Sequence, residues 1–145
     1  MSATVRLADV YRSKDPEKTL YALLKERDRT VNISHRRLPA YREHLRFVRS
    51  RPYKAWYLIT NGTGGRLGGV YLSKMNEIGI FLFKKHRRKA YVEAAVKLLM
   101  KKHAGVGFFL ANINPANAAS IRFFKRFGFK HIQNTYELRK GGGQK

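Results

Sequence analysis

The stretch NAASIRFFKRFGF, Asn117 to Phe129, decides how the chain is read. NAASIRFFKRF has the length and pattern of a short helix, and Gly128 closes it, because glycine takes the left-handed conformation that ends helices at little cost. Upstream, GFFLANI (107–113) reads as a buried strand. Downstream, FKHIQNTYEL (129–138) reads as a final strand region, and RKGGGQK is too polar and glycine-rich to join a core.

Working outward, the next element is KKHRRKAYVEAAVKLLM, Lys84 to Met100. It predicts a long helix from Arg88 to about His103, with Tyr91, Ala94, Ala95, Leu98 and Leu99 on an apolar face. Its start is basic through Lys85, Arg87, Arg88 and Lys89. A helix N-terminus already carries positive partial charge and free N–H groups, so cations stacked there are locally unfavourable. Either they form a solvated turn, or they face an anion, and phosphate is the usual guest at such a position.

Before that helix, KAWYLIT, RLGGVYLS and EIGIFLF read as three strands. The segment GTGGRLGG lacks the Gly-Lys-Ser/Thr ending of a phosphate loop and lies between two strands, so it predicts a hairpin. Earlier still, TVRLADV is a first strand. SKDPEKTLYALLKERD is a helix with Asp15 placed to cap it and Pro16 at its first position, and PAYREHLRFVRS is a second helix stopped by Pro52. The order is strand, two helices, three strands, helix, strand, helix, strand.

A chain of 145 residues suits one compact domain, expected over 1–139 with a flexible tail at 140–145. No signal-peptide pattern or membrane-length apolar run is visible, and there is no cysteine, so the expectation is a soluble, cytoplasmic protein without a membrane partner. The five histidines show no helical i, i+4 pair, and no metal site is expected. The net charge is +22, and six of the nine acids lie in the first 43 residues. Such a field favours anionic partners, whether nucleic acid, nucleotide-like cofactors or acidic lipids, and charge alone does not choose among them.

NAASIRFFKRFGF resembles the Asn-x-x-Ala/Ser-x-x-x-Tyr-x-x-x-Gly-Phe signature of the GCN5-related N-acetyltransferases, the GNAT superfamily, with Asn117, Ser120, Gly128 and Phe129 in register. HRRKAYVEAA is similar to that family's pyrophosphate loop through Arg87, Ala90 and Val92, and the element order fits the same fold along nearly the whole chain. The resemblance implies an α/β (α+β) GNAT fold: a mixed, mostly antiparallel twisted sheet of six to seven strands with about four flanking helices.

It also implies an acyl-CoA-dependent N-acetyltransferase that passes an acetyl group from acetyl-CoA to a small-molecule or protein amine. Main chain from Arg88 to Val92, through Lys89, Ala90 and Tyr91, would cradle the pyrophosphate, with charge from Arg87, Arg88 and Lys89. The pantetheine arm would pair with main chain near Phe81, Leu82 and Phe83, and Asn117 and Ser120 would flank it. Two positions depart from the family pattern: β-branched Val92 stands where the backbone should approach phosphate closely, and Phe124 replaces a frequent tyrosine and supplies packing without a proton. Glu77 is the candidate base and Tyr136 the candidate acid, with His86, His35 and Ser34 as weaker options. The acceptor region, RTVNISHRRLPAYREH, is basic through Arg36 and Arg37 and carries Tyr41, Glu43 and His44; it suggests an anionic amine substrate rather than a polyamine. The alternatives are a nucleic-acid-associated GNAT-like protein or a scaffold with reduced turnover, in either case as a monomer or homodimer.

Overall fold

The structure is a computed structural model and describes residues 4–27 and 37–141. Strands β1 (Val5–Asp9), β2 (Ala55–Asn61), β3 (Arg66–Leu72) and β4 (Ile78–Leu82) form one sheet in that order, antiparallel throughout. Helices α1 (Pro16–Glu26), α2 (Tyr41–Arg49), α3 (Lys89–Lys102) and α4 (Ala118–Arg126) cover its two faces.

Alternation along each strand sorts the core into two layers. Ile59, Val70, Leu72, Ile78 and Leu82 meet Ala95, Val96 and Leu99 of α3 and Phe123 and Phe124 of α4. On the other face Trp56, Leu58, Tyr71 and Phe81 meet Leu20 and Leu23 of α1 and Val48 of α2. Leu58 and Ile59 are fully buried back to back, each contributing about 2 kcal/mol by leaving water.

Local chemistry sets the turns. The Asn61 side-chain oxygen accepts from the N–H groups of Thr63 (2.9 Å) and Gly65 (2.8 Å), and Gly64 takes φ +87°, which makes the expected β2–β3 hairpin. Asp15 occupies the N-cap position of α1 at φ +47° but its side chain makes no capping bond there. At α2 the reciprocal half of a cap is present: Ala40 N–H donates to Glu43 Oε1 at 2.9 Å.

The sheet has four strands where six to seven were expected. Residues 107–113 meet β4 at one point, where Ile78 N–H donates to the Leu110 carbonyl (2.7 Å) and Leu110 N–H to the Asn76 carbonyl (2.8 Å), a single parallel bridge. No ladder extends from it, and residues 129–138 form no regular secondary structure, with Ile132 and Leu138 exposed. Of the expected tail, residues 142–145 lie outside the described residues, as do His35, Ser34 and Arg36.

Candidate active site

The open edge of β4 is the first part of the site. Ser73 N–H donates to the Glu77 carbonyl (2.8 Å) and Phe83 N–H to the Leu67 carbonyl (2.9 Å), so the odd positions of this segment turn their main chain toward β3. Ile78, bonded to Leu110, marks the opposite edge. Ile80 and Leu82 share that direction by alternation, and they face the gap left where 107–113 stops pairing. Of the three positions assigned to the pantetheine arm, Leu82 alone presents main chain there, and its carbonyl accepts from Arg87 Nε at 3.4 Å. The Phe81 and Phe83 side chains pass to the α1–α2 face.

That edge leads through a 3-10 turn, Lys84–His86, into the first turn of α3. The Arg88 carbonyl takes the N–H groups of Tyr91 (3.0 Å) and Val92 (3.2 Å). By position, the N–H groups of Lys89 and Ala90 have no carbonyl one turn earlier in the helix. The first turn holds no acid, and Lys84, Lys85, Arg87, Arg88 and Lys89 are all exposed around it. Val92 packs against the core with Tyr91 and Ala94. Its branched side chain is thus directed inward, toward the core.

Asn117 caps α4: its side-chain oxygen accepts from Ser120 N–H at 3.2 Å, leaving the amide NH2 for another partner. Gly128 ends the helix at φ +105°, and Phe129 N–H returns to the Phe124 carbonyl at 2.9 Å. Phe124 is buried, edge-on to Phe123 (5.0 Å) and Phe129 (5.1 Å). The motif read from sequence is therefore a capped, aromatic-anchored helix.

Glu77 stands at the vertex where 107–113 touches β4. Its carboxylate accepts from the Ser73 hydroxyl at 2.9 Å and, closely, from the Asn112 side-chain amide. Tyr136 is 90 % exposed on the irregular C-terminal segment.

The second part of the site is a cavity of about 520 Å³ between α1, α2 and the sheet. Arg37, Glu43 and His44 from the expected acceptor region line it, joined by Phe81, whose main chain was assigned to the pantetheine arm, and by residues that sequence reasoning missed: Arg27, Tyr53, Trp56 and Tyr71. The Arg27 guanidinium lies 3.4 Å from the centre of the Phe81 ring. Tyr53 and Tyr71 stack face to face, 3.8 Å apart with 2° between their planes. Tyr71 fits only because residue 79 is glycine: a Cβ there would stand 2.1 Å from its ring. An isolated glycine in the strand pattern EIGIFLF was the available signal for such a close approach.

Burial raises the pKa of both Tyr53 and Tyr71, which keeps them as O–H donors, and burial lowers that of Arg27, which remains charged at neutral pH as arginine does. His44 is buried, its Nε2 3.1 Å from the Glu17 carbonyl, and burial lowers its pKa. The ring is neutral at pH 7 and carries its proton on Nε2. Glu43 meets Arg37 at 3.6 Å on the rim. Among the described residues no group of three or more His, Asp or Glu comes together to hold a metal.

A model of the acetyltransferase (GNAT) domain matches residues 6–130. The chain belongs to the GNAT family. Among solved structures it is similar to a domain from Methanocaldococcus jannaschii (TM-score 0.70, 23% identity, 93% of this chain and 94% of that one). It is also similar to spermidine N-acetyltransferase from Vibrio cholerae in complex with CoA and spermine (0.77, 10%, 90% and 83%). A third is phosphinothricin acetyltransferase from Sinorhizobium meliloti in complex with AcCoA (0.64, 23%, 90% and 76%). Identities this low establish a shared fold. No curated protein sequence matches the chain. No helix among the described residues is long and apolar enough to cross a membrane.

Proposed function

We propose that the protein transfers an acetyl group from acetyl-CoA to a primary amine by direct attack. The observation that carries this is the run of open main chain on β4 that ends at a fourteen-residue helix whose first turn is bare of acids and ringed by five cations. Backbone donors at Lys89 and Ala90 with Arg87, Arg88 and Lys89 suit a pyrophosphate, and the Ile80 and Leu82 edge suits a peptide-like arm. Asn117 supplies an amide donor from the opposite side. The GNAT relatives holding CoA and AcCoA support the same donor.

The amine enters from the cavity on the α1–α2 face and attacks the thioester carbonyl carbon in its neutral form. An outward N–H of β4 at Ile80 or Leu82 stabilises the oxyanion. Glu77, held by Ser73 and Asn112, takes the proton released by the new amide nitrogen. Phe124 has no proton to give, so the departing thiolate is protonated by water, and Tyr136 serves as acid only if its segment folds over the cleft.

For the acceptor, a polyamine such as the spermine of the Vibrio relative suits this cavity poorly: its described lining holds Arg27, Arg37 and Arg139 against the single carboxylate of Glu43. The nucleic-acid reading has the net charge alone in its favour. Calorimetry with CoA, followed by thiol release from acetyl-CoA across an amine panel, tests the assignment. The absence of CoA binding at millimolar ligand would refute it.

A further inference from the structure

Two properties of the cavity between α1, α2 and the sheet narrow what it can hold. The first is its walls, which carry the rings of Phe47, Tyr53, Trp56, Tyr71 and Phe81. Phe47 and Trp56 stand edge-on to Tyr53 at 5.8 Å and 4.7 Å, and Trp56 stands edge-on to Tyr71 at 6.4 Å. Rings arranged this way offer both edges and faces to a further ring, a contact worth more than its buried area alone.

The second property is that the charged and phenolic groups of the lining are already engaged within the chain. The Arg27 guanidinium lies on the Phe81 ring at 3.4 Å. Arg37 pairs with Glu43 at 3.6 Å, and Arg139 with Glu137 at 3.1 Å. His44 donates from Nε2 to the Glu17 carbonyl at 3.1 Å, and the Tyr53 hydroxyl donates to that of Tyr71. A carboxylate or a second ammonium on a guest must therefore break one of these contacts or lie unpaired among rings, and either is costly. An uncharged body meets no such cost. The guanidinium in the wall also disfavours an ammonium ion beside it, which favours the neutral amine that attacks.

We infer that the cavity takes a primary amine carried on an uncharged aromatic body, its ring seated among the rings of the walls. This rests on the cavity being the acceptor side of the acetyl transfer proposed above. Phe81 forms one wall, and its neighbours Ile80 and Leu82 carry the open edge of β4, so a short arm brings the amine from the ring to that strand. The amine nitrogen bonds to the acetyl carbon as the carbon–sulfur bond breaks, its proton passes to Glu77, and the thiolate takes one from water. A volume of about 520 Å³ suits a small ring-bearing guest.

Trp56 is the one tryptophan of the chain, so its emission reads occupancy of the cavity without any turnover. With the intact chain, 3-phenylpropan-1-ol changes that emission saturably and binds about tenfold to a hundredfold tighter than propan-1-ol. Its acid counterpart, 3-phenylpropanoate, binds at least about tenfold weaker than the alcohol. Leu24→Phe, which fills the cavity from α1, weakens the alcohol about tenfold, and Phe47→Ala weakens it about two- to tenfold; a thermal scan checks that each variant is folded. In the kinetic arm, phenethylamine exceeds ethylamine, L-phenylalanine and spermine in kcat/KM by about tenfold or more. Emission indifferent to the alcohol, tighter binding of the acid, or turnover of L-phenylalanine or spermine equal to that of phenethylamine overturns the inference and leaves the acetyl-CoA assignment standing. If the alcohol binds as expected but no amine releases thiol from acetyl-CoA, the proposed activity falls and the aromatic site remains.

Discussion

Replacing Gly79 with alanine tests the packing beneath the cavity. The new Cβ would stand 2.1 Å from Tyr71 Cζ, 2.2 Å from Cε2 and 2.5 Å from its hydroxyl oxygen. The ring has nowhere to retreat, because Tyr53 lies 3.8 Å above it and Trp56 holds Tyr53 at 4.7 Å. Forcing it aside costs about 1–3 kcal/mol of overpacking, and breaking the stack about 0.5–1.5 kcal/mol more. With a melting-point change of about 2–4 °C per kcal/mol for a chain of this size, G79A should lower Tm by about 5–10 °C in a calorimetric scan. The sign is informative, since glycine to alanine in an unobstructed strand is neutral or stabilising. Measured in a Tyr71→Ala background, the cost of G79A should fall below about 0.5 kcal/mol. A Tm within about 1 °C of the parent, or a cost indifferent to Tyr71, would refute the placement of the ring and with it the positioning of its hydroxyl.

Four further outcomes are expected. Arg87→Ala and Arg88→Ala each raise KM for acetyl-CoA about two- to fivefold, the effect shrinking at high salt; an unchanged KM would remove the pyrophosphate role. Glu77→Gln lowers kcat about a hundredfold and shifts its pH profile, whereas Tyr136→Phe leaves kcat within about twofold if water is the acid. Asn117→Ala removes the α4 cap and costs about 1 kcal/mol in urea denaturation, and no shift in midpoint would argue against the cap. Burial depresses both His44 and His103, the latter helped by Lys54 and Lys102. Below about pH 6.5 the unfolded chain takes up protons that these rings refuse. Their share of stability is thus intact above that pH and lost as pH falls toward their folded values, and a urea midpoint flat from neutrality into that range would contradict it.

The parts of this fold legible in the sequence are those whose causes are local. Asn117 and Gly128 bracket α4 because one caps with its own side chain and the other takes positive φ, and both events are complete within a few residues. The Asn61 turn and the basic start of α3 belong to the same class. Strand pairing is different. The segments 107–113 and 129–138 have strand-like composition, yet a ladder needs a partner edge, and the first of them meets β4 at Leu110 alone.

The cavity was hidden for a related reason. Arg27, Tyr53, Trp56 and Tyr71 come from separate parts of the fold, and none stands out in its own neighbourhood of sequence. Gly79 alone carried their trace: a residue without a side chain in an apolar strand implies that something else occupies its space, and that occupant is Tyr71. The two regions therefore differ in what builds them. The proposed donor side consists of main chain, the β4 edge and the first turn of α3, and the Val92 side chain packs into the core beneath it. The cavity, by contrast, is built of side chains from distant elements, and its shape depends on the space that Gly79 leaves for Tyr71. Main chain can keep its hydrogen-bonding pattern while side chains change, so the β4 edge depends less on residue identity than the cavity does, where one added methyl at residue 79 displaces a ring.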